Sequence, residues 1–153
     1  NYKKKFKFNN FYSSTYAYSV NFHRHIAEID QEFGKVSKKI SFTFNPHLIP
    51  TFRGILSSIY LKSKKNISIK KIESFLRNYY KKNHFIRINK INTPLGTGDV
   101  LNTNKCEISI CQTRVSNRIV IFSAIDNLIK GAAGQAIQNM NLLFKIKENA
   151  GLK

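Results

Sequence analysis

Cysteine is nearly absent from this chain. Cys106 and Cys111 are the two it has, they lack CxxC spacing, and they sit in a strand-like run. That excludes a disulfide framework and a zinc site, so no metal is expected. It fits a reducing compartment, and the cytoplasm is the expected location. No apolar run is long enough for a signal segment or a membrane span, so no membrane partner is expected. Helix-turn-helix spacing, zinc-finger spacing and an RNP-like aromatic motif are all missing. Internal repeats and low-complexity tracts are missing too. Acidic residues are scarce: 8 Asp and Glu stand against 26 Lys and Arg, for a net charge of +18.

Such a balance suits a nucleic-acid or anionic-membrane partner. The rest of the composition points elsewhere. Lys, Asn, Ile, Phe and Tyr are used heavily together and Arg sparingly, and those five are the residues of AT-rich codons. The lysines are scattered over solvent faces. Lys62, Lys64, Lys65, Lys70 and Lys71 cluster, but at a loop and the first turn of a helix. No specific nucleic-acid partner is expected. With 153 residues the chain is long enough for one domain with a proper core. It begins at Asn1, and we expect a piece of a larger protein.

Hydrophobic spacing outlines the elements. Residues 1–12 are basic and aromatic and read as a connector, which extends to about residue 20; a domain over 21–153 follows. Ile26, Ile29 and Phe33 predict a helix over 26–34, with Glu28, Asp30 and Glu32 in its early turns and Gly34 as its end. Residues 38–45 alternate, with Ile40, Phe42 and Phe44 on one side, and predict a half-buried strand. A loop with Pro46 and Pro50 leads to a strand over 54–62. Ser68 caps a helix over 68–82 with the apolar face Ile69, Ile72, Phe75, Leu76 and Tyr79. Strands are predicted over 84–89, 105–113 and 118–126, the last two as a hairpin. A final helix over 128–146 carries the stripe Ile129, Ala133, Ala136, Ile137, Met140, Leu143 and Phe144. The pattern predicts an α+β fold: a mixed or mostly antiparallel sheet covered by helices on one face.

Few residues in this pattern carry chemistry. His23 and His25 flank Arg24 at a predicted helix start, where an imidazole tends to stay neutral and can act as acid or base. The alternative is a loop of solvated basic residues. Arg53, at a loop-to-strand junction, can clamp an anion or simply lie on the surface. The small residues Gly131, Ala132, Ala133, Gly134 and Ala136 allow close approach to the backbone, by a ligand or by a packed neighbour. Cys106 is mid-strand in an alternating apolar pattern and is expected to be inert. Gly96-Thr97-Gly98 is no dinucleotide fingerprint, since no third Gly and no helix follow.

The order of the residues adds more. The run Asp126-Asn127-Leu128-Ile129-Lys130-Gly131-Ala132-Ala133-Gly134-Gln135-Ala136, with Gln138-Asn139-Met140-Asn141, resembles the C-terminal signature of N-acetyl-γ-glutamyl-phosphate reductases. His23-Arg24-His25-Ile26-Ala27-Glu28-Ile29-Asp30-Gln31 resembles another motif of the same family, His-Arg-His-x-Pro-Glu-Ile-Glu-Gln, with Ala27 where the family usually has Pro. Pro46-His47-Leu48, Arg53-Gly54-Ile55-Leu56 and Asn104-Lys105-Cys106 extend the likeness from about Asn21 to the C-terminus.

The resemblance implies the second-domain architecture of glyceraldehyde-3-phosphate dehydrogenase. It also implies reduction of an N-acetylglutamyl 5-phosphate to the semialdehyde, in arginine biosynthesis, through a cysteine thioester and hydride from NADPH. The nucleophile motif and the NADP-binding βαβ unit are expected in a missing N-terminal domain, toward which the 127–146 helix would pack. A homo-oligomer is implied. His25 is the expected acid/base, with His23 second. Arg24, Arg53 and His47 are the expected substrate contacts, and Asn127 and Gly131 the expected NADP(H) contacts. The alternatives are an aspartate-semialdehyde-dehydrogenase-like domain and a basic, non-catalytic RNA-binding α+β domain. The His-Arg-His run and the Gln-Asn-Met-Asn tail favour the acetylglutamyl version.

If the charge is compositional, binding to duplex or single-stranded nucleic acid should be confined to low salt and vanish near about 0.15 M. Sub-micromolar, sequence-selective binding at that salt in a gel-shift titration would give the charge a function instead.

Overall fold

A computed structural model describes residues 14–62 and 67–153. The proposed connector over 1–12, and Lys64 and Lys65, lie outside the described residues. Contacts divide the chain after Phe52 into two units, Asn1–Phe52 and Arg53–Lys153.

In the first unit, β1 (Tyr16–Ala17) pairs antiparallel with β2 (His47–Leu48), Tyr16 opposite Leu48. Between them α1 spans His25–Val36. Gly34 was expected to end this helix; the helix instead runs two residues further, to Ser37 in extended conformation. One glycine costs a helix about 1 kcal/mol, too little to stop it where the next residues still hydrogen bond.

The strand expected over 38–45 is not formed: these residues have no ladder partner. Their alternation is nevertheless visible in burial. Phe42 and Phe44 are half-buried, while Ser41, Thr43 and Asn45 are exposed. Phe42 packs edge-on against Phe33 at 5.3 Å and Phe44 against His23 at 5.4 Å. The pattern sets which way side chains face, and ring packing meets that demand without backbone pairing.

The second unit is built on a four-stranded sheet in the order β3-β6-β5-β4. It comprises β3 (Ile55–Lys62), β4 (Ile86–Ile88), β5 (Cys106–Gln112) and β6 (Arg118–Ile125). β3 and β6 pair antiparallel along their whole length, Ile55 opposite Ile125 and Lys62 opposite Arg118. β5 and β6 form the expected hairpin, and β4 joins β5 in parallel. The sheet is therefore mixed, as the pattern predicted.

Helix α2 (Ile69–Tyr80) starts at Ser68, whose Oγ accepts the Lys71 N–H at 3.2 Å. It lies against β4 and β5. Arg77 fastens it by donating to Asn89 O at 3.0 Å. Its apolar face is narrower than the spacing suggested. Ile69, Ile72 and Leu76 are half-buried, but Phe75 and Tyr79, expected in that face, are 64% and 68% exposed. Their rings stack on each other at 6.0 Å. The core of the unit is Phe85, Ile88, Val100, Ile110, Ile119, Val120 and Ala124.

The single helix expected over 128–146 is broken. A π-helical turn over Ile129–Ala133 comes first, with Ala132 out of helical conformation. Helix α3 (Gly134–Leu143) follows, and the chain leaves it through Phe144 and Lys145. The buried residues of α3 are Gly134, Gln138 and Asn141, not the apolar stripe. Ile137, Met140, Leu143 and Phe144 are 38%, 48%, 77% and 67% exposed. The stripe lies on the helix expected to pack toward a further domain; within this chain the buried face of α3 is the polar one.

Gly134 is packed tightly against Asn104 and the turn before it. A Cβ there would overlap Asn104 Oδ1 and lie 2.7 Å from Ile129 Cγ2. Gly134→Ala should therefore lower stability by about 1–3 kcal/mol, the usual cost of forcing an atom into a filled site. A urea midpoint equal to that of the parent protein would show that α3 can shift freely.

Candidate active site

The end of β6 is fixed by one carboxylate. Asp126 is completely buried. Its Oδ1 accepts from Arg53 Nη2 at 2.8 Å, Arg53 Nε at 3.1 Å, Leu128 N at 2.9 Å and Ile129 N at 3.2 Å. Its Oδ2 accepts from Asn102 N at 2.8 Å. Asn102 presents that N–H from a left-handed conformation, φ 60°, which asparagine tolerates. Burial by itself would raise the Asp126 carboxyl. The hydrogen bonds from Asn102, Arg53 and Leu128, with the Arg53 charge, outweigh it and hold the group below its ordinary value.

Asn127, next in the chain, is half-buried, and its Oδ1 accepts the Gly54 N–H at 2.6 Å. An amide whose oxygen is taken keeps its NH₂ donors for another acceptor. Gly54 has φ +105°, and a Cβ there would sit 2.6 Å from Thr97 Cβ, so both conformation and space require glycine. Gly131 is exposed, and its N–H returns to Asp126 O at 3.0 Å.

Behind this corner lies a polar network that sequence reasoning missed. Gln138 Oε1 accepts from Lys130 Nζ at 2.6 Å and from Asn104 Nδ2 at 2.9 Å. Gln138 Nε2 donates to Glu148 Oε1 at 2.7 Å, and Asn141 Nδ2 to the carbonyls of Glu148 and Ala150. Burial pushes the Lys130 ammonium down, against the opposing influence of Cys106 and Glu148. The readable signal was the i, i+3 spacing of Gln138 and Asn141, which puts two amides on one helix face. Cys106 is half-buried in the sheet, its Sγ 3.5 Å from Ser123 Oγ.

The histidines belong to the first unit. His25 is the first residue of α1 and Arg24 its exposed N-cap. The His23 and His25 rings are edge to face at 4.6 Å. His23 is engaged at both nitrogens: Nδ1 accepts the His25 N–H at 3.2 Å, and Nε2 lies 3.4 Å from Tyr18 Oη. Its proton therefore belongs on Nε2. Among the described residues nothing hydrogen bonds to the ring nitrogens of His25. Exposed His47 pairs opposite Ala17 in the β-ribbon, and its Nδ1 is 3.0 Å from Asn45 O. Structure thus groups His23, His25 and Arg24 in one unit, and Arg53, Asn127 and Gly131 in the other. Among the described residues no cluster of His, Cys, Asp or Glu suits a metal ion.

Comparison with known proteins gives this geometry a setting. Residues 1–127 match the family model of the semialdehyde dehydrogenase dimerisation domain. The chain is 42% identical over 137 residues to the N-acetyl-γ-glutamyl-phosphate reductase of Thermoanaerobacter pseudethanolicus, covering 89% of this chain and 40% of that protein. It is 45% identical over 132 residues to the reductase of Geotalea daltonii, covering 86% and 38%. The chain thus spans about 40% of the length of the curated relatives it matches. Among solved structures it is similar to aspartate semialdehyde dehydrogenase II from Vibrio cholerae, with TM-score 0.52, 18% identity, and 66% and 30% of the two chains covered. Against the same enzyme complexed with ASA the TM-score is 0.58, with 19% identity and coverage of 80% and 37%. That likeness confirms the expected fold.

The Asp126 carboxylate has a measurable signature. Its folded pKa lies below the unfolded one, so its stabilisation is present above about pH 4 and lost as pH falls through the folded value. Urea midpoints should drop as pH falls below about 4, and Asp126→Asn should flatten that drop. The variant should also lose about 3 kcal/mol at neutral pH, because Arg53 is left without its charge partner. An unchanged acid slope in the variant would show that other carboxylates carry the effect.

Proposed function

Since this chain belongs to the semialdehyde dehydrogenase family, as its dimerisation domain, we propose that it is the substrate-binding and oligomer-forming part of an N-acetyl-γ-glutamyl-phosphate reductase. The intact enzyme converts an N-acetylglutamyl 5-phosphate to the 5-semialdehyde and phosphate in the cytoplasm. The observation that carries this reading is the 40–45% identity to reductases of that name over nearly nine-tenths of the chain. No helix among the described residues is long and apolar enough to cross a membrane.

NADP(H) supplies the hydride when bound. Asn127 and Gly131 are the residues of this chain that would hold it. The free NH₂ of Asn127 suits an amide oxygen, and Gly131 is exposed beside it. A domain carrying the Gly-rich cofactor unit and the cysteine nucleophile is proposed in the part of the relatives that this chain does not span. The outward apolar stripe of α3 supports its docking there. Exposed apolar residues on β3, among them Ile55, Leu56, Ile59 and Leu61, support a homo-oligomer.

Proton transfer falls to His25. In the reductive direction an oxygen of the reacting carbon gains a proton, and in the reverse direction it loses one. An imidazole serves both, giving the proton as imidazolium and taking it back as the neutral ring. His23 is the weaker candidate, because Tyr18 and the His25 N–H engage its two nitrogens. Arg24 is available from its exposed N-cap position to a substrate carboxylate. His47 is a further substrate contact, with Nε2 facing away from its bond to Asn45 O.

In the full-length enzyme His25→Asn should lower turnover by roughly 10²–10⁴-fold, the range for losing a general acid–base, with the KM for NADPH within a few-fold. Steady-state kinetics decide it. Loss on His23→Asn instead would exchange the two assignments, and loss on neither would make the pair structural.

A further inference from the structure

Arg53 was expected to clamp the substrate's anion, and its contacts point to a different task. Its side chain is 18% exposed and its partner Asp126 is fully buried. The Nε–Nη2 edge, the one a carboxylate or phosphate grips in bidentate fashion, is occupied by Asp126 Oδ1. Nη1 is taken by Asn102 Oδ1 at 3.1 Å. The guanidinium is thus neutralised by an internal carboxylate before any ligand arrives.

Its neighbour in the chain shows what this achieves. Ile55 pairs with Ile125 in the β3–β6 ladder, so the residues just before β3 face those just after β6. Arg53 grips Asp126 by its side chain, and Gly54 grips Asn127 by its backbone N–H at 2.6 Å. Thr97 packs where a Gly54 side chain would be and limits the freedom of that N–H. The Asn127 amide could otherwise rotate and present either its oxygen or its nitrogen.

We propose that Arg53 is a positioning residue: it locks the loop start to the strand end so that Gly54 holds the Asn127 oxygen and the Asn127 NH₂ faces the cofactor. This rests on the reading of Asn127 as an NADP(H) contact.

The test is steady-state kinetics of the full-length enzyme. Arg53→Lys keeps the charge but cannot fill three bonds with one fork. It should raise the KM for NADPH roughly tenfold, the worth of one well-placed hydrogen bond, and leave the KM for the acyl phosphate within about twofold. In the double variant, Arg53→Lys should add nothing further to the NADPH defect of Asn127→Ala, because Arg53 acts through Asn127. A rise confined to the acyl phosphate, no rise in either constant, or additive defects would overturn the proposal. If Asn127→Ala itself leaves NADPH kinetics intact, the cofactor reading of Asn127 has failed. If it impairs them while Arg53→Lys does not, the positioning role alone has failed. Should Arg53→Lys not fold, phenylglyoxal labelling of the parent enzyme decides. Inorganic phosphate should leave the labelling rate of Arg53 unchanged, and protection by phosphate would make Arg53 an anion clamp.

Discussion

An ionised carboxylate with no access to water costs several kcal/mol unless donors surround it. Asp126 meets that demand by drawing donors from three separate stretches: Arg53 at the start of β3, Asn102 in the long loop, and Leu128 and Ile129 at the following turn. None of these could relax without leaving the charge unpaired. The corner is thus held by the penalty for breaking it, which is larger than the net gain from any one of its bonds. The amide of Asn127 inherits this rigidity through Gly54.

Legibility in the sequence followed the physics of each element. β3, β5 and β6 were readable because runs of seven or eight residues rich in Ile, Val and aromatics, alternating in β5, suit a strand. The stretch 38–45 carried the same signal and formed no ladder, because alternation names a facing direction and not a partner. In α2 the spacing located the helix but misjudged its face. Phe75 and Tyr79 lie outside the packed face of α2, and α3 turns its amides inward. Periodicity cannot say which of two faces has a neighbour within the chain.

The candidate site was legible in kind and only partly in role. The His pair and the corner stood out as residue types at element boundaries. That Arg53 is committed to Asp126 depends on a contact between residues 73 apart in sequence, which no local pattern contains. The inward amides of Gln138 and Asn141 fit the same scheme: the last helix is tied to its own domain by hydrogen bonds. It keeps its apolar residues outward.

The Arg53–Asp126 bond joins residues 73 apart in sequence. A contact of that reach is entropically costly to close and cannot form ahead of the structure that brings its ends together. The β5–β6 hairpin is local and can form early, whereas β3 must arrive from far upstream before Gly54 can meet Asn127. The orientation of one amide is therefore a late product of folding. A chain that has its hairpin but not its edge strand leaves the Asn127 oxygen without the Gly54 N–H that fixes it.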